Sequence, residues 1–442
     1  MMSGQTTENG ADDMNKHTIY QMALRSFTPE GTLKAAEKLL PHVASLGFDI
    51  IYLCPVFKAD NDEDQNAWSH RQRQSETNNP KNPYKMADYF NVDEEYGTNE
   101  DLKDFVETAH KNNLKVFFDL VYLHCGKNAV FIKDHPDFVE QNENGKPLVG
   151  DRWPFARLNY ENPALRAYLK KNMETFVKDY KVDGFRCDVG DTVPLDFWAD
   201  AFTYLKTLNP ELLTFNEGRS NEYLEVAFDM AYDFNWTKTM IDVFANKAPA
   251  KNIQETFIEQ LNTYGHNYKN LAKTIDNHDI ASDHVLNRNE ITMTTKGVEA
   301  ALVLCYTIGG IPYLWNGYEF CDNAENCMFS NRFHGRRSQI NWSRAFTPEG
   351  QNRLEFIKNL NNLYHNHDEF SDTALEWIKT PYPDEVLSYK KGNITIIVNT
   401  KNKAVSNINC NVDEIYMQSQ ALIQNNKLTL NSYGYIIAKR KD

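Results

Sequence analysis

The chain has 442 residues and a formal net charge of −14, a length that fits a barrel with a small appendage better than one compact pair of layers. The acidic balance argues against nucleic acid as a partner, because phosphates need a basic surface, and it does not discriminate among neutral ligands such as sugars. Aromatics make up 12% of the chain, with seven Trp and 23 Tyr; rings of this kind suit sugar stacking, but most of them pack in cores.

Residues 1–17 are polar and lack the hydrophobic core of a signal peptide. They read as a disordered lead, or as the linker that follows a removed export signal, so a cytoplasmic and an exported home both stay open. No run approaches the roughly 18 apolar residues of a membrane-spanning helix. From Thr18 onward apolar strands alternate with amphipathic helices, the pattern of a parallel α/β fold. A first strand near Ile19 is followed by a helix over Thr32–Ser45, with Leu33, Ala36, Leu39, Leu40 and Val43 at helical spacing. A second strand near Ile51 leads into a long loop, Lys58 to Pro83, whose Asp60, Asp62, Glu63 and Asp64 read as a solvated acidic run or, less simply, as oxygen ligands for calcium. Thr98 caps a helix that runs to Asn112. The strand near Phe117 ends in His124, after which Gly126, Pro136, Gly145, Pro147, Gly150 and Pro154 break the pattern as far as Tyr160. That stretch is too long for an ordinary βα loop and predicts an insert over 125–159 that walls a cleft.

Asn162-Pro163 opens a helix to Tyr180, with Pro in its first turn. A strand near Phe185, a helix from Pro194 to Leu208, and strands near Thr214, Phe228, Thr274 and Tyr313 complete eight β–α units, hence a closed (β/α)8 TIM barrel over 18–124 and 160–375. From Glu385 the helical period disappears, and Val386–Tyr389, Ile394–Val398 and Tyr435–Ala438 read as antiparallel strands of a small C-terminal β domain, 376–442. The seven cysteines form no paired framework. Cys54, Cys187 and Cys305 read as small buried hydrophobes, the spacing of Cys321 and Cys327 leaves a bridge within one loop open, and without any Cys-x-x-Cys no zinc site is expected.

The chemistry concentrates at strand ends. Tyr180 to Phe185 feeds into Arg186, two residues before Asp188; Leu114 to Leu123 ends in His124 with Asp119 inside it; Leu212 to Asn216 ends in Glu217; Leu271 to Ile275 leads into Asp276-Asn277-His278-Asp279. Unpaired buried charge is expensive. Four strands that each end in Asp, Glu or His therefore point to one shared pocket at the C-terminal mouth of a barrel; the plainer account makes each acid a structural ion pair.

Together these segments resemble the α-amylase family of retaining glycoside hydrolases. Ile19-Tyr20-Gln21 with Arg25-Ser26-Phe27, Leu46 to Phe57, and Pro83-Tyr84 with Asp88-Tyr89 extend the resemblance over nearly the whole chain. It implies a short domain B in the insert after strand 3, with Asp188 as nucleophile, Glu217 as general acid/base and Asp279 as the carboxylate that holds sugar hydroxyls. It also implies that Tyr84, His124, Arg186 and His278 line the subsite of the sugar being cleaved. The substrate implied is an α-glucan or malto-oligosaccharide cleaved at α-1,4 links, with an α-1,6-active glucosidase or debranching type, or a transglycosidase, as alternatives; a monomer without cofactor is expected. Such a mechanism needs one ionised and one protonated carboxyl about 5 Å apart, so Arg186 is expected to lower Asp188 while like charge raises Glu217. Two departures from the family pattern stand out. Leu123 precedes the strand-3 histidine where many members carry a calcium-ligating Asn, and Arg157 places a cation where the insert often supplies an Asp, so the usual structural calcium is not expected. Gly190-Asp191 replaces the Lys-His that follows the nucleophile in many α-amylases, so the acceptor side must be built differently. Val189 appears in relatives that cleave α-1,6 bonds, whereas the segment from Cys187 through Trp198 looks more like α-amylase-type members.

Overall fold

The computed structural model describes residues 16–150, 153–283, 288–334 and 338–441; residues 1–15 of the expected polar lead lie outside the described residues. Eight parallel strands close into a barrel: β1 (Ile19–Met22), β2 (Ile50–Leu53), β3 (Lys115–Leu120), β4 (Gly184–Cys187), β5 (Leu213–Asn216), β6 (Met230–Tyr232), β7 (Leu271–Lys273) and β8 (Ile311–Trp315), each paired with its neighbours in sequence and β8 with β1. The period of two along each strand divides the side chains. Ile19, Ile50, Tyr52, Phe117, Phe215, Tyr232 and Tyr313 fill the barrel interior, while Val116, Phe118, Phe185 and Cys187 face the surrounding helices. Gly184 starts β4 because a Cβ there would lie 2.4 Å from the Phe117 ring, where no side chain fits.

Two expected elements move. The helix foreseen over Thr32–Ser45 is two, Leu33–Glu37 and Leu40–Ser45, because Pro41 has no N–H to give the Glu37 carbonyl and its ring crowds that turn. The sixth strand begins at Met230, not at Phe228, whose N–H is taken by the Tyr223 carbonyl at the end of the preceding helix (2.9 Å). The helices Asn99–Lys111, Pro163–Asp179 and Leu195–Leu208 lie where periodicity and caps put them; Thr98 and Asp101 form a reciprocal capping box at the first.

After β3 the chain leaves the barrel through the antiparallel pair His124–Cys125 and Ala156–Arg157. It returns to the helix at Pro163 after further bridges Val139–Leu158 and Gln141–Pro147. The last part of the chain forms an antiparallel sheet of six strands, of which Lys427–Arg440 pairs with Ile394–Asn399, Val405–Asn409 and Val412–Gln424. It docks on the barrel through Tyr389, whose hydroxyl meets Thr307 Oγ1 at 2.6 Å, and Tyr433, stacked on Phe244. All seven cysteines are free and buried; the bridge that spacing left open between Cys321 and Cys327 does not form.

Candidate active site

The strand register places the charges. Asp119 of β3 lies beside Arg186 of β4, both pointing into the barrel mouth. Arg186 is 1% exposed, so its charge needs partners on every side. Its NH1 donates to Asp119 Oδ1 (2.7 Å) and Asp188 Oδ1 (3.0 Å), its NH2 to Glu217 Oε2 (2.7 Å), and its plane lies over the rings of Tyr52 and Tyr84. One guanidinium therefore bridges the carboxyls at the ends of β4 and β5 and is anchored from below by Asp119. Asp119 in turn accepts from Tyr52 (2.6 Å) and Tyr84 (2.7 Å) through Oδ2.

The turn after the β4 strand is strained. Val189 has φ 44° and ψ 42°, a left-handed conformation that costs a β-branched residue on the order of 1–3 kcal/mol. It aims the Val189 N–H at Glu217 Oε2 (2.9 Å). Among the described residues, Glu217 Oε1 and Asp188 Oδ2 carry no protein hydrogen bond, and these are the oxygens left for a ligand. The next residues clamp the β5 end: Asp191 accepts from the Asn216 amide (2.7 Å) and the Ser220 N–H (2.9 Å), and also from the Arg219 N–H. The Gly190-Asp191 pair that departs from the family pattern thus holds both sides of Glu217.

On the other wall Asp279 stands in the first turn of the helix His278–Asp283. His278 is oriented by Gln21 of β1. The Gln21 Oε1 accepts from the Tyr313 hydroxyl and the His278 N–H, so its amide nitrogen donates to His278 Nδ1 (2.7 Å). That assigns the ring proton to Nε2, which donates to the Tyr84 hydroxyl (3.0 Å), which donates to Asp119. His124 donates Nε2–H to the Tyr84 carbonyl (2.9 Å) and packs on Phe155 and Trp153. Burial pushes both histidines down to about 4, so both are neutral at pH 7.

The acids divide differently from the sequence expectation. Burial pushes the Asp188 carboxyl well up; Arg186 opposes this as expected but is outweighed, and the charges of Glu217, Asp119 and Asp279 add to the rise. Glu217 is also raised, by burial first, with Arg186 and the Val189 N–H opposing and Asp279 adding. Asp279 is lowered: burial works against its charge, but His278, Arg71 and Arg186 outweigh it. Since His278 is neutral above about 4, Arg71, with NH1 2.5 Å from Asp279 Oδ1, is the standing partner. Two raised carboxyls on one guanidinium titrate as a pair, and the half-protonated pair has one acid and one anion.

Asp188, Glu217, Asp279, Tyr84, His124 and His278 line one cavity of about 380 Å³, with Arg186 beneath it. The residues to which sequence reasoning gave no role in the site are Gln21, Arg71, Asp191, Trp153, Phe155 and Asp283. Gln21 was visible as a polar residue in an apolar strand; the other five lie in loops or at a helix end, where no period marks which way a side chain points.

In the acidic loop after β2, Asp60 and Asp62 are buried and not solvated. The buried Lys85 ammonium stands 3.1 Å from Asp62 and 4.0 Å from Asp60, and Lys127 is 2.9 Å from Asp62. Glu63 and Asp64 are the solvated part. Among the described residues no cluster of three or more His, Cys, Asp or Glu side chains is arranged to hold a metal.

A closed eight-stranded α/β barrel with acids at the ends of β4, β5 and β7 is the architecture of a class of carbohydrate-active barrels, and the sequence comparisons agree. The alpha-amylase family, described as "Alpha amylase, catalytic domain", matches residues 5–145 and 148–428, and the chain belongs to that family. A maltogenic alpha-amylase of Bacillus acidopullulyticus is 26% identical over 436 residues, covering 89% of this chain and 68% of that protein. Alpha-amylase MalA of Haloarcula japonica is 24% identical over 84% of this chain, which spans 53% of its length. The crystal structure of an alpha-amylase from Lactobacillus plantarum superposes with a TM-score of 0.77 at 21% identity, covering 97% of this chain and 99% of that one, which establishes the shared fold.

Proposed function

We propose that the protein hydrolyses α-1,4-glucosidic bonds in starch-like or malto-oligosaccharide chains with retention of the anomeric configuration. The observation that carries the reading is the single buried Arg186 guanidinium that holds Asp188 and Glu217 together, with Asp279 across the same cavity. Retaining glycosidases use two carboxyls about 5 Å apart, and a shared guanidinium fork favours that close pairing over the wider spacing of inverting enzymes. In the proposed first step Asp188 Oδ2 attacks C1 of the glucosyl unit, the C1–O bond breaks, and the proton on Glu217 Oε1 passes to the departing oxygen. In the second, Glu217 takes a proton from water, the water oxygen bonds to C1, and the ester to Asp188 breaks. Asp279, kept ionised by Arg71, accepts sugar hydroxyls, while neutral His124 and His278 line the subsite without adding charge, and Tyr84 offers its ring face.

The α-1,4 preference draws support from the segment Cys187 through Trp198 and from the naming of the relatives as amylases. Val189 favours one second reading, α-1,6 cleavage, because it stands directly behind the nucleophile and its backbone shapes the acceptor side. Chromatography of the products from starch, maltotriose, isomaltose and pullulan separates the two. Cleavage of maltotriose and starch with isomaltose intact is expected; faster cleavage of isomaltose moves the enzyme to the α-1,6 class. Products longer than the substrate at high sugar concentration identify a transglycosidase.

A further inference from the structure

We infer that Arg71 closes the cleft on the side of the glycosyl unit and restricts the enzyme to chain ends, so that it acts in exo fashion; this rests on the hydrolase reading given above. The two sides of the reacting bond are set by chemistry. The acid/base must face the departing oxygen, so the leaving chain lies toward Glu217 and Val189, and the glycosyl unit lies toward Asp279.

On the leaving side the cleft continues. A second cavity of about 170 Å³ shares His124, Trp153 and Phe155 with the main one and runs on past Arg157 and Thr192. On the Asp279 side three loops are tied together. Arg71, in the short helix His70–Gln74 of the connection after β2, holds Asp279 through NH1 (2.5 Å) and clasps Asp283 with Nε and NH2 (2.6 and 2.8 Å). This two-point clasp of a carboxylate is the directional form of an arginine pair. The same loop reaches the one after β8, where Thr77 and Asn79 both donate to the Phe329 carbonyl (3.0 and 2.9 Å). Met328 N–H closes the circuit by donating to Ser282 in the Asp279 helix (3.3 Å).

Arg71 occupies Oδ1 of Asp279 and leaves Oδ2 for a sugar hydroxyl, and Arg71 itself lines the cavity. A terminal glucosyl unit can exchange hydroxyl contacts with this pair. A unit that continues into a further chain meets the clasp itself, because Arg71 and Asp283 both line the cavity beside Asp279. The arginine thus has two effects: it keeps Asp279 ionised and it sets where a chain can start.

The test uses a nitrophenyl maltoheptaoside with a free non-reducing end and the same chain capped there by an ethylidene acetal, with products followed by chromatography. The wild-type enzyme should cleave the open chain and cut the capped one about 100-fold more slowly, the scale of rejection a pocket achieves by excluding a group. Arg71→Ala, and Asp283→Asn, which weakens the clasp and leaves the Asp279 contact, should each raise the capped-to-open ratio of kcat/KM by about tenfold, with thermal melting to show that both are folded. Equal cleavage of the two chains by wild type overturns chain-end restriction and leaves the hydrolase reading standing. Cleavage of neither chain by wild type defeats the α-1,4 reading on which the inference rests. A wild-type enzyme that rejects the capped chain, with no measurable rise in the ratio in either folded variant, overturns the role of Arg71.

Discussion

Glu217 is the residue whose environment makes the sharpest demand on experiment. Its carboxyl is raised chiefly by burial, so it holds its proton above the ordinary carboxylate range and loses it as pH rises; catalysis that needs the acid is present below that folded value and disappears above it. Glu217→Gln should turn over natural chains about 10³-fold more slowly or worse, yet still form the glycosyl-enzyme from glycosyl fluorides, whose leaving group needs no proton. Formation of the glycosyl-enzyme from fluorides should lack the alkaline limb that the wild type shows on natural chains; the same limb on fluorides would count against the assignment. His124 gives a second pH signature, in stability. Its folded value of about 4 lies below the unfolded one, so the unfolded chain binds the extra proton first. Its contribution is fully present above about pH 6.5 and is lost as pH falls toward 4, reaching about 3 kcal/mol. The raised acids Asp188 and Glu217 act in the opposite sense, so the comparison is the urea midpoint of wild type against His124→Gln between pH 7 and 4.5. The wild type should lose more; parallel curves would contradict the shift. At this scale the sequence exposes residues by contrast: Arg186, Asp188 and Glu217 stand out as charges ending apolar strands, where burial demands a partner. Arg71 and Asp191 sit in short helical turns of the connections between strands, where one more charge is unremarkable, and only the folded chain brings Arg71 to Asp279 and Asp191 to Asn216.

At the scale of elements, the segment that follows β4 couples the two proposed catalytic carboxyls. Val189 gives its N–H to Glu217, a Cβ on Gly190 would lie 2.2 Å from Asn216 Oδ1, and Asp191 ties Asn216 and Ser220 on either side of Glu217. Asp191→Ala strips acceptors from this turn, which should lower stability by about 1–3 kcal/mol. It should reduce kcat by more than it changes KM, because Glu217 loses its position and not its contact with the bound chain. Melting together with steady-state kinetics on maltotriose checks this, and an unchanged kcat would contradict it. The same segment shows the limit of pattern reading. The strand before it and the helix after it follow from apolar spacing, whereas the left-handed Val189 follows from tertiary demands that override local preference. Pro41 is the opposite case: the local rule against a proline in the interior of a running helix was readable, but the apolar spacing of Leu33 to Val43 hid the break.

For the whole molecule, the ring of eight strands and the antiparallel sheet were legible because their periodicities repeat over long stretches. The path of the insert after β3 was not, since its short bridges carry no period. The acidic loop was read only in composition; the fold buries Asp60 and Asp62 around Lys85, so an internal ammonium stands where a cation would be sought, and Leu123 offers no side-chain oxygen nearby. We propose on this ground that stability is independent of calcium. Dialysis against a chelator should leave the melting temperature and the activity unchanged, while Lys85→Met, which strands buried carboxylates, should lower stability by about 3 kcal/mol; a chelator-induced loss restored by calcium would contradict the proposal. The central claim, that glycosyl transfer passes through an ester on Asp188, is tested most directly by trapping. Enzyme incubated with a fluorinated α-glucosyl fluoride, digested and analysed by mass spectrometry should carry the sugar on the peptide containing Asp188, with Asp188→Asn unlabelled. Label on Glu217, or on no residue while the enzyme still turns over malto-oligosaccharides with inversion, would contradict it.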